Sequence, residues 1–202
     1  MNKLLTNIIS QTSLTGFKAD LLISLVLAVT TMLAAIIVGM LIQNLNNFLM
    51  RKSSKAAFVL NRVMFLGTMH HELSHALFAI LTGAKVLKIK CFTLFDKERL
   101  GYVNFAYSGG KLKQALQGSF IACAPVLTGF LTVPLFANLA IMSIAQQISP
   151  VWAPICLYIA ISILCHMRMS RADLKIYLKG SLVTLPLLTL MILCGRFLMG
   201  LR

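Results

Sequence analysis

Acidic residues are scarce in this chain: five Asp and Glu in 202 residues, against nineteen Lys and Arg, with charged residues of every kind at 12%. Soluble domains carry about a quarter charged residues, so this chain is built for a non-aqueous solvent. The scarcity of acids also makes each one informative. They are Asp20, Glu72, Asp96, Glu98 and Asp173, and all four histidines (His70, His71, His75, His166) lie near Glu72 or Asp173. Cysteine is equally sparing in pattern: Cys91, Cys123, Cys156, Cys165 and Cys194 form no Cys-x-x-Cys pair. Four of them sit in apolar stretches, so neither a disulfide framework nor a thiolate metal site is indicated, and they read as small buried hydrophobes.

What the chain has in abundance is apolar length, with hydrophobic residues at 58%. No charge occurs between Leu21 and Met50, and about 20 apolar residues suffice to cross the hydrocarbon core. Lys3 precedes only a short, interrupted apolar patch with no small-residue cleavage site after it, so the first long run reads as a retained anchor. Five transmembrane helices are expected, over about 21–42, 56–82, 116–142, 151–167 and 180–201, in one membrane-embedded domain covering 1–202. The fifth requires Arg196 to snorkel to the interface. Between the second and third, the run Val86 to Cys91 alternates, with Lys88 and Lys90 on one face and Leu87 and Ile89 on the other. Gly101 to Tyr107 is a second β-prone stretch, so a β-hairpin over about 86–107 is expected around a polar turn holding Asp96 and Glu98. The fold class is therefore an all-α polytopic membrane protein with an inserted hairpin.

The second expected helix contains His71-Glu72-Leu73-Ser74-His75. Helix positions i and i+4 share a face, so both imidazoles can reach one Zn²⁺, with Glu72 beside them to take a proton from water activated there. Ionisable groups at membrane depth are costly and functional by default. His70 points to another face and reads as supporting or structural. A third protein ligand is still required. Asp96 and Glu98 flank Lys97 and Arg99 in the expected turn, as solvated charges would. Asp173, just past the fourth expected helix, is favoured, and His166, seven residues earlier, is the rival or a supporting partner.

From Val63 to Gly180 the chain resembles the site-2 protease family of intramembrane zinc metalloproteases. The resemblance rests on His-Glu-x-x-His in a membrane helix, Thr82-Gly83-Ala84 after it, a following hairpin, the element Ala122-Cys123-Ala124-Pro125, and an aspartate at a later helix end. It implies His71, His75 and Asp173 as zinc ligands and Glu72 as catalytic acid/base. The second motif departs from the family's Asn-x-x-Pro…Leu-Asp-Gly pattern: here Ser170-Arg171-Ala172-Asp173-Leu174 carries neither Pro nor Gly beside the acid.

Three function classes follow. The first is a zinc-dependent intramembrane endopeptidase acting on membrane-embedded protein substrates, with the hairpin holding the substrate extended by strand addition. The second is a non-proteolytic membrane protein with a structural, sensing or transport zinc site, for which Glu72 would be unnecessary. The third is a prenyl-protein-type protease, which requires a downstream Glu on a helix where this chain offers only Glu98. The net charge of +14 is assigned to the membrane flanks and their anionic cytoplasmic leaflet, not to nucleic acid. With five spans, thirteen Lys and Arg fall on the side of the N-terminal segment and hairpin and six on the other. The positive-inside rule then places the N-terminus in the cytoplasm and the C-terminus outside, with the cluster Arg51, Lys52, Lys55 dissenting.

Overall fold

A computed structural model of the protein describes residues 16–93 and 100–199. Asp96 and Glu98 lie outside the described residues. In chain order the elements are α1 (Phe17–Lys52), a short α2 (Ser54–Phe58) running into a π-helical turn (Val59–Val63), α3 (Phe65–Leu81), strands β1 (Lys85–Lys90) and β2 (Tyr102–Ala106), α4 (Lys111–Ile144), α5 (Trp152–His166) and α6 (Arg171–Leu198). Three of these, α1, α4 and α6, are long and apolar enough to cross a membrane. The apolar α5 has 15 residues, about 22 Å at 1.5 Å per residue.

The second expected span, 56–82, is not one helix. The chain breaks at Met64, whose backbone leaves the helical region (φ −85, ψ 38), and α3 has only 17 residues, about 26 Å. The break is held by α5 side chains. Tyr158 Oη donates to the carbonyl of Val63 at 2.6 Å and Ser162 Oγ to that of Met64 at 2.9 Å, while the amide of Gly67 donates to Ser162 Oγ at 2.7 Å. Backbone groups freed inside an apolar environment need such partners. The start of α3 therefore sits beside the middle of α5.

Contacts fix the direction of every long element. His70–Thr132, Ser74–Thr128 and His75–Ile121 make α3 antiparallel to α4, and Gly67–Ser162 followed by His71–His166 makes it parallel to α5. Asn46, late in α1, donates to the carbonyl of Cys165 in the last turn of α5. Arg196, near the end of α6, pairs at 3.2 Å with Asp20 in the first turn of α1. The end of α1, the end of α3, the hairpin, the start of α4 and the start of α6 thus gather at one end of the bundle.

Three expectations are corrected here. The described chain ends do not lie on opposite sides, because the Asp20–Arg196 pair brings the start of α1 and the end of α6 together. Nor does Arg196 snorkel alone, and the last helix does not begin at Gly180. It begins at Arg171, because Ser170 and Asp173 form a capping box in which Ser170 Oγ accepts from the Asp173 amide and the Asp173 carboxylate accepts from the Ser170 amide. The expected hairpin is present: β1 and β2 pair antiparallel with a register shift between Val86 and Lys88. Val86 and Phe105 pack on Ala79, Ala84 and Ile121, which anchors the hairpin across α3 and α4.

Candidate active site

His71, Glu72 and His75 occupy the middle of α3, and with Thr68 one turn earlier they line a cavity of about 960 Å³. Its other walls include the end of α1, strand β2, Arg168 in the segment that joins α5 to α6, and Asp173 in the first turn of α6. Glu72 lies directly beneath the hairpin: a Cβ added at Gly101 would stand 2.7 Å from Glu72 Cγ. Glycine at that position is what permits the strand to lie over the carboxylate.

Both imidazoles of the motif are held by helix carbonyls, and each carbonyl is free for a reason legible in the sequence. His75 Nδ1 lies 2.7 Å from the carbonyl oxygen of Ile121. In a regular helix that oxygen would accept from the amide of residue 125, but residue 125 is Pro and has no N–H. His71 Nδ1 lies 2.9 Å from the carbonyl oxygen of His166, the last residue of α5, where carbonyls have no intrahelical partner. With carbonyls as the only possible acceptors, both Nδ1 atoms carry the proton. Both Nε2 lone pairs are thereby released, and they face each other at 3.1 Å.

Two lone pairs at that distance repel unless a cation sits between them. Two nitrogens bound tetrahedrally at 2.0–2.1 Å to one zinc stand roughly 3.3 Å apart, close to what is seen. Asp173 completes the group: one ligand atom from each of His71, His75 and Asp173 lies within 4.8 Å of the others. Its Oδ2 accepts from the Ser170 amide at 3.1 Å and the Ser170 hydroxyl at 2.5 Å, while Oδ1 accepts nothing among the described residues. The helix cap therefore aims the carboxylate and leaves one oxygen open. The donor set, two neutral imidazoles and a carboxylate, fits zinc.

The other candidates separate cleanly. His166 does not join the metal-type group; its carbonyl orients His71, and its own Nδ1 lies 2.8 Å from the Ser162 carbonyl. His70 turns to α4, with Nε2 3.1 Å from Thr132 Oγ1. Sequence reasoning missed the roles of Ile121 and Ser170, although Pro125 four residues after the one and Ser-x-x-Asp at the other were visible signals. It also passed over Arg168 and Thr68, for which one-dimensional spacing offers no signal.

No curated protein and no solved structure matches the chain. The profile of the peptidase M50B-like family matches residues 30–197, a stretch that contains the His-Glu-x-x-His helix, the hairpin, Pro125 and Asp173. This apolar, multi-helix chain belongs to the peptidase M50B-like family.

Proposed function

We propose that the protein is a zinc-dependent intramembrane endopeptidase, with His71, His75 and Asp173 as the metal ligands and Glu72 as the catalytic acid/base. The observation that carries this reading is the pair of Nε2 atoms at 3.1 Å, each with its opposite nitrogen committed to a backbone carbonyl. Zinc in such a ligand set supplies Lewis acidity toward water and toward a carbonyl oxygen. Glu72, adjacent to the first ligand and inside the cavity, accepts the proton of the attacking water. It then delivers that proton to the departing amine as the carbon–oxygen bond forms and the carbon–nitrogen bond breaks. A structural or transport zinc site has no use for a carboxylate so placed.

A helical substrate must be extended before its backbone can reach these groups. Strand β2 lines the cavity through Tyr102, Val103 and Phe105, and a two-stranded sheet leaves an edge on each strand. An extended substrate segment can add to such an edge through main-chain hydrogen bonds.

The cavity belongs to the cationic end of the bundle. Arg51, Lys52 and Lys55, the hairpin's Lys85, Lys88 and Lys90, Lys111 and Lys113, and Arg168, Arg171, Lys175 and Lys179 all lie toward it, whereas Lys18 and Arg196 lie at the other. We place that end, with its catalytic cavity, at the cytoplasmic, anionic leaflet and both described chain ends outside. In this arrangement α1, α4, α5 and α6 cross, and α2 to α3 re-enters from the cytoplasmic side. The Arg51 to Lys55 cluster then agrees with the rule.

The deciding experiment pairs zinc content with cleavage of a single-span membrane reporter by wild type and Glu72→Gln. Zinc is retained in the variant and cleavage falls by about 10²–10⁴, the usual contribution of a general base. Undiminished cleavage by Glu72→Gln overturns the mechanism.

A further inference from the structure

Hydrolysis of an amide places negative charge on the scissile carbonyl oxygen, and a donor aimed at that charge is worth as much as the base. Two cations line the cavity. Arg62 is engaged with the hairpin, its Nη1 3.4 Å from the carbonyl of Thr93. Arg168 makes no hydrogen bond or ion pair among the described residues.

The position of Arg168 is built rather than incidental. It lies in the short segment between α5 and α6, and its neighbours Met167 and Met169 are each 3% exposed. Met167 packs where α4 has Gly129, so closely that a Cβ there would stand 2.2 Å from Met167 Cγ. Met169 packs in the same manner on Gly39 of α1, at 3.0 Å. Two buried methionines on the flanks leave the guanidinium to the cavity. There its charge acts on His71, and the Glu72 carboxylate acts on it in turn. Burial pushes the Arg168 pKa down, and Glu72 pushes it back up. The guanidinium cannot deprotonate at neutral pH, so it serves as a fixed donor and never as a competing base. Thr68, also in the cavity wall, is 6% exposed and its buried hydroxyl has no hydrogen-bond partner among the described residues, one more open polar group in the cavity.

We propose that Arg168 is a catalytic residue, donating hydrogen bonds to the scissile carbonyl oxygen as that oxygen becomes negative. This rests on the proteolytic reading above. It assigns the polarising role to a side chain brought in by the α5–α6 connection, opposite the helix that carries Glu72. Because the interaction strengthens only as charge develops, losing it lowers kcat and leaves KM nearly unchanged.

The test compares zinc-loaded wild type, Arg168→Gln and Arg168→Lys in detergent. The probes are a short apolar phosphinic peptide, whose tetrahedral anionic centre mimics the charged oxygen, and the matching amide peptide. Zinc content and amide-peptide affinity stay as in wild type, while affinity for the phosphinic peptide falls about 10²–10³-fold in Arg168→Gln. Arg168→Lys recovers part of it, since it keeps the charge but not the fork of donors. Reporter cleavage follows in kcat. Loss of zinc from both variants, or a rise in KM with kcat intact, overturns the assignment in favour of a structural or substrate-anchoring role. An unchanged preference for the phosphinic peptide in Arg168→Gln overturns it as well. If wild type itself shows no preference, the proteolytic reading fails and this assignment falls with it.

Discussion

The two ends of the bundle are built on opposite principles. At one end stand the cavity, the hairpin, two of the three described acids and nearly all the described cations. At the other, the turn after α4 carries no charge, and the charged groups among the described residues are Lys18 and one ion pair, Asp20 with Arg196, whose side chains are each 19% exposed. At the first end polar groups are left open: Asp173 Oδ1, the Arg168 guanidinium and the Thr68 hydroxyl have no partner among the described residues. At the second the two charges neutralise each other. Openness costs free energy where water is scarce. Among the described residues the chain leaves several such groups around the cavity and only the Arg196 Nε at the other end, and this concentration supports the cavity as the place of the proposed chemistry.

The comparison breaks most completely if the ends are assigned to the wrong sides of the membrane. Reporter fusions give an all-or-none reading. A fusion in the hairpin after Lys90 gives a cytoplasmic signal, and fusions before Phe17 and after Leu198 give external signals. External signal from the hairpin inverts the arrangement. Opposite signals from the two ends restore an odd number of crossings and contradict the Asp20–Arg196 pairing.

Next in size is removal of the third ligand. Asp173→Ala takes the open carboxylate oxygen from the group that includes His71 and His75, and zinc occupancy falls from near one to near zero at micromolar free metal. The same change also removes a helix cap. Ser170→Ala separates the two effects, because it loses the hydroxyl that contacts Asp173 but keeps the carboxylate. Loss of a cap costs about 1 kcal/mol, so Ser170→Ala lowers the unfolding midpoint slightly and weakens zinc far less than Asp173→Ala. Equal zinc loss in the two variants would mean that the cap, and not the carboxylate, matters.

A smaller effect comes from Pro125→Ala. The new amide offers Ile121 its helical partner and competes with His75 Nδ1 for the same oxygen. Groups that orient a ligand in this way are worth about 10–100-fold in metal affinity, read by competition with a chelating dye. Pro134→Ala is the control, since Pro134 also interrupts α4 but the carbonyl four residues before it orients no ligand. A matching loss in that variant would assign the effect to helix stiffness.

These predictions also mark how far the sequence could be read. His71, Glu72 and His75 were legible because a helical period of 3.6 puts i and i+4 on one face, and the hairpin because alternation has a period of two. The break at Met64 was not, since no Pro or Gly marks it; Tyr158 and Ser162, about a hundred positions away, accommodate the carbonyls freed there. The start of the last helix was misjudged because Lys175 and Lys179 read as loop charge, when both are exposed on its first turns at the cationic end. The relation of the chain ends was illegible for a stronger reason: nothing local to Asp20 or Arg196 specifies the other.

The smallest effect belongs to that pair, and it tests whether the two ends are independent. Asp20→Ala leaves Arg196 charged and without its Asp20 partner, beside an Nε that already lacks one among the described residues. A charge-assisted hydrogen bond contributes about 1.5–3 kcal/mol, so the unfolding midpoint in detergent drops by a few degrees. Arg196→Met leaves only a carboxylate in the first turn of α1, where the positive end of the helix dipole favours it, and costs less. Combining the two removes both charges, so the double variant recovers most of what Asp20→Ala alone loses. In all three, zinc affinity stays at the wild-type value, because the pair and the His71–His75–Asp173 group lie at opposite ends of α6 and α1. If zinc affinity declines in step with the unfolding midpoint, the ends are coupled through those two helices, and the division of labour between them has to be abandoned.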